Sequence, residues 1–420
     1  MNQAESNVFG LGSRYAAKPD QRRPKLASLC NHTLHLVEPN GKYAYMVNRP
    51  FWQNRLEELW REAPIVWLAG VRRSGKTTLA QSLGAARSLY VNCDLPATED
   101  RLSDPVLFFR ECNRPVVVFD EIHQLRDPSR VLKIAADEFP ELKVLATGSS
   151  TLAASKKFRD TLTGRKRLLH LVPVLTGELA SFGVNLAKRL YFGGLPPALL
   201  APEKQPSFYR EWLDSFFARD IQRLFAFRDI NRFNGLFEYV LRQSGGQLEI
   251  TKTASALGIS RPTVESHLQA LEVTQAITLV RPFHGGGQGE IVRQPKVYAF
   301  DTGFVSFVRG WDPLRPADYG VLWEHLVVEA FQGLWPDEPV RYWRDKAARE
   351  VDFVRPRGRD VVDTYECKWN PAAFDADALK VFRTAYPKGK NYILSPITGP
   401  AYVKKVQGFE MIVCGLGDLA

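Results

Sequence analysis

Gly70-Val71-Arg72-Arg73-Ser74-Gly75-Lys76-Thr77 sets two glycines, a lysine and a threonine at the spacing G-x-x-x-x-G-K-[ST]. The chemistry that suits this spacing is phosphate binding. Glycines let backbone N–H groups approach phosphate oxygens, the lysine faces the β- and γ-phosphates, and the threonine hydroxyl can ligate Mg2+. Gly70, Arg72, Arg73, Ser74, Gly75, Lys76, Thr77 and Thr78 form the candidate nucleotide-contacting set. Further along, Val116-Val117-Val118-Phe119 runs into Asp120-Glu121. Apolar residues ahead of two carboxylates place Asp120 at the carboxyl end of a buried strand, where parallel sheets bind ligands. Asp120 is the candidate second holder of Mg2+, and Glu121 the base that polarises an attacking water. Together with the loop, the pair points to ATP hydrolysis rather than binding alone. Thr147 and Ser149, in Lys143-Val144-Leu145-Ala146-Thr147-Gly148-Ser149, are both candidates for orienting that water.

A second set lies in the last third. Glu324 sits in the helical pattern Val321-Leu322-Trp323-Glu324-His325-Leu326, and Asp352 in the alternating run Glu350-Val351-Asp352-Phe353-Val354. Glu366 and Lys368, two residues apart in Thr364-Tyr365-Glu366-Cys367-Lys368, project from one face of a strand. A hairpin would bring Asp352 beside Glu366. Two carboxylates then suit Mg2+ or Mn2+, Lys368 stabilises charge or helps activate water, and Glu324 assists from its helix. A basic strip, Arg341, Arg344, Lys346 and Arg349, lies close in sequence. The plain alternatives are salt bridges between strands, or a binding module built on the same residues.

The elements that must position these residues follow from hydrophobic pattern. Five apolar runs, 65–69, 88–92, 116–120, 143–147 and 168–172, read as strands of a parallel sheet, mostly separated by helical segments. Phe51, Leu56, Leu59 and Trp60 lead into the first of them at helical spacing. Residues 237–283 read as a helix-turn-helix with a wing. Thr251 opens one helix, Gly258-Ile259-Ser260 makes the turn, Ser260 caps a second helix running to Leu271, and Thr274–Val280 is the first wing strand. The second helix is expected to expose Arg261, Glu265, His267 and Gln269. It is not strongly basic, so DNA reading and a structural role both stand.

The order of phosphate loop, Asp120-Glu121, Thr147-Gly148-Ser149-Ser150 and Leu162-Thr163-Gly164-Arg165 resembles the AAA+ superfamily. Within it, the chain is similar to a large prokaryotic family of ATPases with a C-terminal domain of unknown function. Tyr191-Phe192-Gly193-Gly194-Leu195-Pro196, Ala218-Arg219-Asp220-Ile221 and Lys296-Val297-Tyr298-Ala299-Phe300-Asp301-Thr302-Gly303 carry the likeness onward. The series Glu324, Asp352, Glu366-x-Lys368 resembles the PD-(D/E)xK, restriction-endonuclease-like nucleases. The resemblances imply an α/β fold: an AAA+ parallel sheet, a helical and winged-helix region, and a small α/β nuclease-like domain. They imply ATP and Mg2+ as cofactors, with Mn2+ a further option at the nuclease-like centre. They also imply a homo-oligomer, by AAA+ likeness a hexamer. Arg165, within the basic run Lys156–Arg167, is then the candidate arginine finger acting on a neighbouring subunit. The expected domains are an N-terminal extension (1–47), an ATPase domain (48–180), a helical connector (181–236), a winged helix (237–300) and a nuclease-like domain (301–420).

Composition narrows the function classes. Hydrophobic content of 45% and charged content of 24% in 420 residues supply a globular core. A net charge of +10 favours an acidic partner, with DNA first. Five scattered cysteines without a C-x-x-C pair argue against a disulfide framework or a zinc site, and no apolar run reaches the length of a membrane span. The expectation is a cytoplasmic protein that does not enter the membrane. Three functions remain: an ATP-driven DNA cutter, a DNA remodelling or branch-migration motor whose last domain only grips, and a nucleotide-dependent switch binding protein partners.

Overall fold

Ile65–Ala69 (β3), Ser88–Asn92 (β4), Val116–Asp120 (β5), Lys143–Thr147 (β6) and Lys166–His170 (β7) form one parallel sheet, in the order β4-β5-β6-β3-β7. The structure is a computed structural model that describes residues 33–37, 43–148, 162–225, 229–285 and 294–419. Every residue of β3 and β5 is buried, which explains their unbroken apolar runs. Four of the five expected strands match residue for residue. The fifth begins two residues earlier than the apolar run suggests, because β7 is an edge strand. Its first residues, Lys166 and Arg167, face partly outward, and Leu168 is exposed. The parallel pairing still reaches Leu171, whose N–H donates to Ala69 O at 2.8 Å. Thr33–Val37 (β1) and Tyr43–Val47 (β2) pair as an antiparallel ribbon ahead of the sheet.

The helix Pro50–Glu62 leads into β3 and buries Trp52, Leu56, Leu59 and Trp60. Beyond β7, the helices Leu186–Phe192, Pro206–Phe216 and Ile230–Arg242 share a core with the sheet's outer face. The two helices of the helix-turn-helix are Ile250–Leu257 and Arg261–Val273, and the Ser260 hydroxyl caps the second by accepting from Thr263 N. The expected wing strand is shorter than its apolar run. Thr274 ends the helix with its hydroxyl on Ala270 O, Gln275 turns with φ +63°, and only Ile277–Val280 (β8) is extended. It pairs antiparallel with Lys296–Ala299 (β9). His267 is not on the surface as expected. It lies at helical spacing with Val264, Leu268 and Leu271, so it is carried to the buried face, 5.3 Å from the Phe233 ring.

The motifs around Gly193 and Asp301 are structural. Asp301 accepts from Gly194 N and Gly303 N, and a Cβ on Gly193, where φ is +82°, would lie 1.9 Å from Asp301 Oδ1. Buried Arg189 donates to Val174 O, to the Thr302 hydroxyl and to Glu329. This joint pins the helix Thr302–Val308 and the long helix Pro316–Leu334 to Leu186–Phe192.

The last part is a mixed six-stranded sheet. Arg341–Arg344 (β10), Glu350–Pro356 (β11) and Val362–Cys367 (β12) run antiparallel. Asn391–Leu394 (β13) lies parallel to β12, Phe409–Cys414 (β15) is parallel to β13, and Tyr402–Val406 (β14) closes the edge. The long helix packs on this sheet, with Trp323 Nε1 donating to Leu394 O at 2.9 Å. The helix Asp377–Ala385 precedes β13.

Candidate functional site

The phosphate loop leaves the carboxyl end of central β3, and only glycine fits at its first turn. A Cβ on Gly70, φ +154°, would lie 2.5 Å from Leu171 O at the end of β7. The loop is gripped from two sides. Arg49, paired with Glu178 at 2.7 Å and 5% exposed, donates to Ser74 O at 3.1 Å. Trp212 Nε1, from Pro206–Phe216, donates to Arg72 O at 3.0 Å. Lys76 Nζ rests on Gly70 O and Val71 O at 2.8 and 3.1 Å. Burial pulls the Lys76 pKa down, and Glu121, Asp220 and Asp120 oppose this. Phosphate oxygens would favour its charged form further.

Strand order sets the acid partners beside the loop. Because β6 lies between β3 and β5, Thr147 stands between the loop and Asp120. Three hydroxyls converge on Asp120: Thr77 at 3.0 Å and Tyr90 at 2.5 Å on Oδ2, and Thr147 at 2.5 Å on Oδ1. The Thr147 oxygen also accepts from Glu121 N at 2.9 Å. Thr147 therefore holds the Asp120 carboxylate and the backbone of Glu121, while Ser149 lies outside the described residues. Glu121 takes the left-handed conformation, φ +56°. A non-glycine residue held there costs about 1–3 kcal/mol, a strain characteristic of functional turns. Its Oε2 lies 3.2 Å from His123 Nδ1, and that contact depresses the Glu121 pKa against the effect of burial. Glu121 is thus held ionised, as a water-polarising base requires.

The phosphate loop, Glu121 and His123 line a cavity of about 400 Å3 with Arg219 and Asp220, which sit on the π-helical turn Phe217–Ile221. Burial raises the Asp220 pKa, and Arg72 stands 3.7 Å away across the cavity mouth. The donor set fits Mg·ATP. Ser74 Oγ is buried inside the loop without a partner, and exposed Thr77, which lines the cavity, donates to Asp120. Mg2+ held by Thr77 and Asp120 would neutralise phosphate charge. Sequence reasoning assigned no role to Arg49, Tyr90, His123, Arg219 or Asp220. Arg219 and Asp220 fell in a noticed motif, whereas the others carry no local signal.

Arg165 lies elsewhere. It ends the turn entering β7, its carbonyl accepts from Ile65 N at the start of β3, and its side chain pairs with Asp137 at 2.5 Å. This is the amino end of the parallel strands, opposite the phosphate loop, so Arg165 does not reach the cavity of its own chain. The run Lys156–Arg159 lies outside the described residues.

The second set does converge. In the β11–β12 register Phe353 faces Tyr365, so Asp352 faces Glu366. Asp352 Oδ2 accepts from Cys367 N at 2.8 Å and from Lys368 Nζ at 3.0 Å, and Lys368 Nζ also reaches Glu366 Oε2 at 3.0 Å. Burial pushes the Glu366 pKa well up, helped by Asp352. Burial also raises Asp352, but Lys368 and Lys296 outweigh it and hold the group below its usual value. Glu324, on the long helix, accepts from Tyr298 at 2.5 Å and Lys296 at 3.2 Å. Among the described residues no three His, Cys, Asp or Glu side chains converge to hold a metal ion. Asp352 and Glu366 could offer two carboxylates to a hard cation, but both are bound to Lys368. Sequence reasoning missed Lys296 and Tyr298, which come from the wing.

Comparison with known proteins places an AAA domain match over the sheet that carries the first site. Residues 62–180 match the family model described as an AAA domain, and residues 184–315 match a domain of unknown function. An uncharacterised protein of Mycobacterium tuberculosis is 26% identical over 347 residues, covering 80% of this chain and 77% of that one. An uncharacterised protein of Methanocaldococcus jannaschii is 24% identical over 320 residues, covering 68% and 70%. The chain is also similar to the solved Walker-type ATPase of Pyrococcus abyssi, at 16% identity, TM-score 0.41 and coverage of 65% and 97%. For the Thermotoga maritima RuvB Holliday junction branch migration motor the values are 18%, 0.28, 56% and 90%. No helix among the described residues is long and apolar enough to cross a membrane. The chain has an AAA+-like parallel-sheet core in the stretch that matches the AAA domain model, followed by a helical region that matches a domain of unknown function.

Proposed function

We propose that this chain is an Mg-ATP-hydrolysing AAA+ motor or switch that acts on nucleic acid, with a C-terminal domain that grips rather than cuts. The observation that carries the ATPase reading is the convergence of the Thr77 and Thr147 hydroxyls on Asp120 beside the phosphate loop, with Glu121 N donating to the same Thr147 oxygen. Lys76 holds phosphate charge, Thr77 and Asp120 hold the metal, and Glu121, kept ionised by His123, polarises water. A contact chain leads from this site to the second. Trp212 bonds the loop carbonyl of Arg72 and stacks on Phe300 at 4.6 Å, and Phe300 directly follows β9 with its Lys296 and Tyr298.

Nucleic acid is favoured by the charge of +10 and by exposed Arg341, Lys346, Arg349, Lys404 and Lys405 on the last domain. The order helix, three antiparallel strands, helix, parallel strand, with Asp352 opposite Glu366-x-Lys368, favours a nuclease-like core. Against a cutting site stands Lys368, which bridges both carboxylates. Arg165, if it acts as a finger, acts on a second copy, and a homo-oligomer is part of the reading.

The test is ATP turnover with duplex, single-stranded and branched DNA at several salt concentrations. We expect stimulation by DNA, and binding that weakens by about 10³–10⁵ between 50 and 200 mM salt if six to ten phosphates are contacted. Stimulation by no DNA substrate would favour a switch with protein partners. We expect no strand cleavage with Mg2+ or Mn2+. Cleavage abolished by both Asp352→Ala and Lys368→Ala would establish the nuclease reading instead.

A further inference from the structure

Asp220 is a carboxylate in the nucleotide cavity that the proposed reaction leaves without a role. It sits on the π-helical turn Phe217–Ile221, which continues the helix Pro206–Phe216, and it lines the cavity with the phosphate loop, Glu121 and His123. Such turns interrupt a regular helix and recur at functional sites. Asp220 Oδ2 is buried and has no hydrogen-bond partner among the described residues. Arg72 Nη1 stands 3.7 Å from it, close enough for attraction and too far for a hydrogen bond. The same helical segment therefore holds Arg72 in two ways. Trp212 Nε1 donates to its carbonyl at 3.0 Å, and Asp220, further along, attracts its guanidinium.

The position within the cavity matters. The charges of Arg72, Lys76, Glu121 and His123 all act on Asp220. On the ATPase reading, Lys76 faces the β- and γ-phosphates and Glu121 the water that attacks the γ-phosphate, so Asp220 stands toward the terminal-phosphate end. Burial disfavours its charged form, and Arg72 is the chief influence that opposes this, with Lys76 next.

We propose that Asp220 is a specificity-determining residue that sets how strongly the site distinguishes nucleoside triphosphates from diphosphates. It holds Arg72 and competes for that guanidinium with an incoming γ-phosphate. A carboxylate and a phosphate carry like charge, so they repel each other and cannot share one cation without loss. A triphosphate must break the Arg72–Asp220 pair and meet the Asp220 charge. A diphosphate lacks the group that does either. This role rests on the ATP-binding part of the proposed function and adds the residue that grades its ligands.

The experiment measures equilibrium binding to the full-length chain, in Mg2+, of ADP and of a non-hydrolysable β,γ-imido analogue of ATP, each by displacement of a fluorescent nucleotide. Asp220→Asn keeps the size of the side chain and removes its charge. It should bind the triphosphate analogue about tenfold more tightly than wild type, or about 1.4 kcal/mol, and leave ADP within about threefold. Asp220→Ala should act in the same direction, and it replaces the asparagine variant if thermal melts show that chain to be unfolded. Arg72→Met should weaken binding of the analogue, and in that background Asp220→Asn should gain much less, because the pair to be broken is already gone. A purely structural Asp220 would move ADP and the analogue alike. Unchanged or weaker binding of the analogue by the Asp220 variants, equal gains for both nucleotides, or a full gain that persists in Arg72→Met overturns the inference. Wild type that binds neither nucleotide would instead remove the ATPase reading and this role with it, so the two failures are distinguishable.

Discussion

Glu121→Gln will bind ATP about as well as wild type and turn it over about 10²–10⁴ times more slowly. Glutamine keeps the size of the side chain and the backbone bond from Glu121 N to Thr147 Oγ1, so the left-handed turn and the Asp120 network survive. What is lost is the carboxylate that His123 holds ionised at 3.2 Å. Lys76→Ala should behave in the opposite way. It removes the cation that lies against the loop carbonyls of Gly70 and Val71, and with it the positive charge a triphosphate needs. Nucleotide affinity should collapse, and turnover with it. Fluorescent-nucleotide titration and phosphate release on both variants separate the two roles. Undiminished hydrolysis by Glu121→Gln would move the base elsewhere, with His123 and Asp220 the next groups to examine at the cavity wall.

The first site was legible in sequence because its physics is local. A buried parallel strand reads as an unbroken apolar run, and the turn after it must carry its chemistry in consecutive residues. Gly70–Thr78 and Glu121 follow, and Asp120 and Thr147 end, strands whose bounds match their apolar runs. The edge strand β7 was misplaced by two residues because an edge tolerates Lys166 and Arg167. Arg165 was assigned from motif order alone. Only the sheet shows that it stands at the amino end of the strands, far from the loop at their carboxyl end.

The second site was half legible. Alternation in β11 and β12 correctly put Asp352 and Glu366 side by side, since register in a hairpin follows from which face is buried. Its counter-charges were not legible. Lys296 and Tyr298 precede Glu324 on a separate strand, and nothing in local composition marks a lysine as buried. The motif Lys296–Gly303 was noticed as one piece but holds two functions. Lys296 and Tyr298 face the acid centre, while Asp301, Thr302 and Gly303 lock the joint to Gly194 and Arg189.

That joint gives the second large expected effect, on stability rather than turnover. Arg189→Met should destabilise the fold by about 3–5 kcal/mol, since breaking a buried pair from one side leaves the other charge uncompensated. Arg189 is fully buried, and Glu329 is 2% exposed in its side chain. The Val174 carbonyl and the Thr302 hydroxyl lose a donor in the same step. Burial already pushes the Glu329 carboxyl up to about 8, with Arg189 as the chief opposing influence. Without the arginine it should rise further. A carboxyl whose pKa is higher in the folded than in the unfolded chain binds a proton on folding, so the stability of Arg189→Met should increase as the pH falls from 8 toward the unfolded value near 4.5. The deficit against wild type should therefore be largest at alkaline pH. Adding Glu329→Leu should recover much of the loss, because a buried pair replaced on both sides by apolar groups is often close to neutral. Urea unfolding of wild type, single and double variants at pH 6 and 8 measures all three quantities. A single variant as stable as wild type, or a double variant no better than the single, would mean that packing around Gly193 and Asp301 holds the joint without the ion pair.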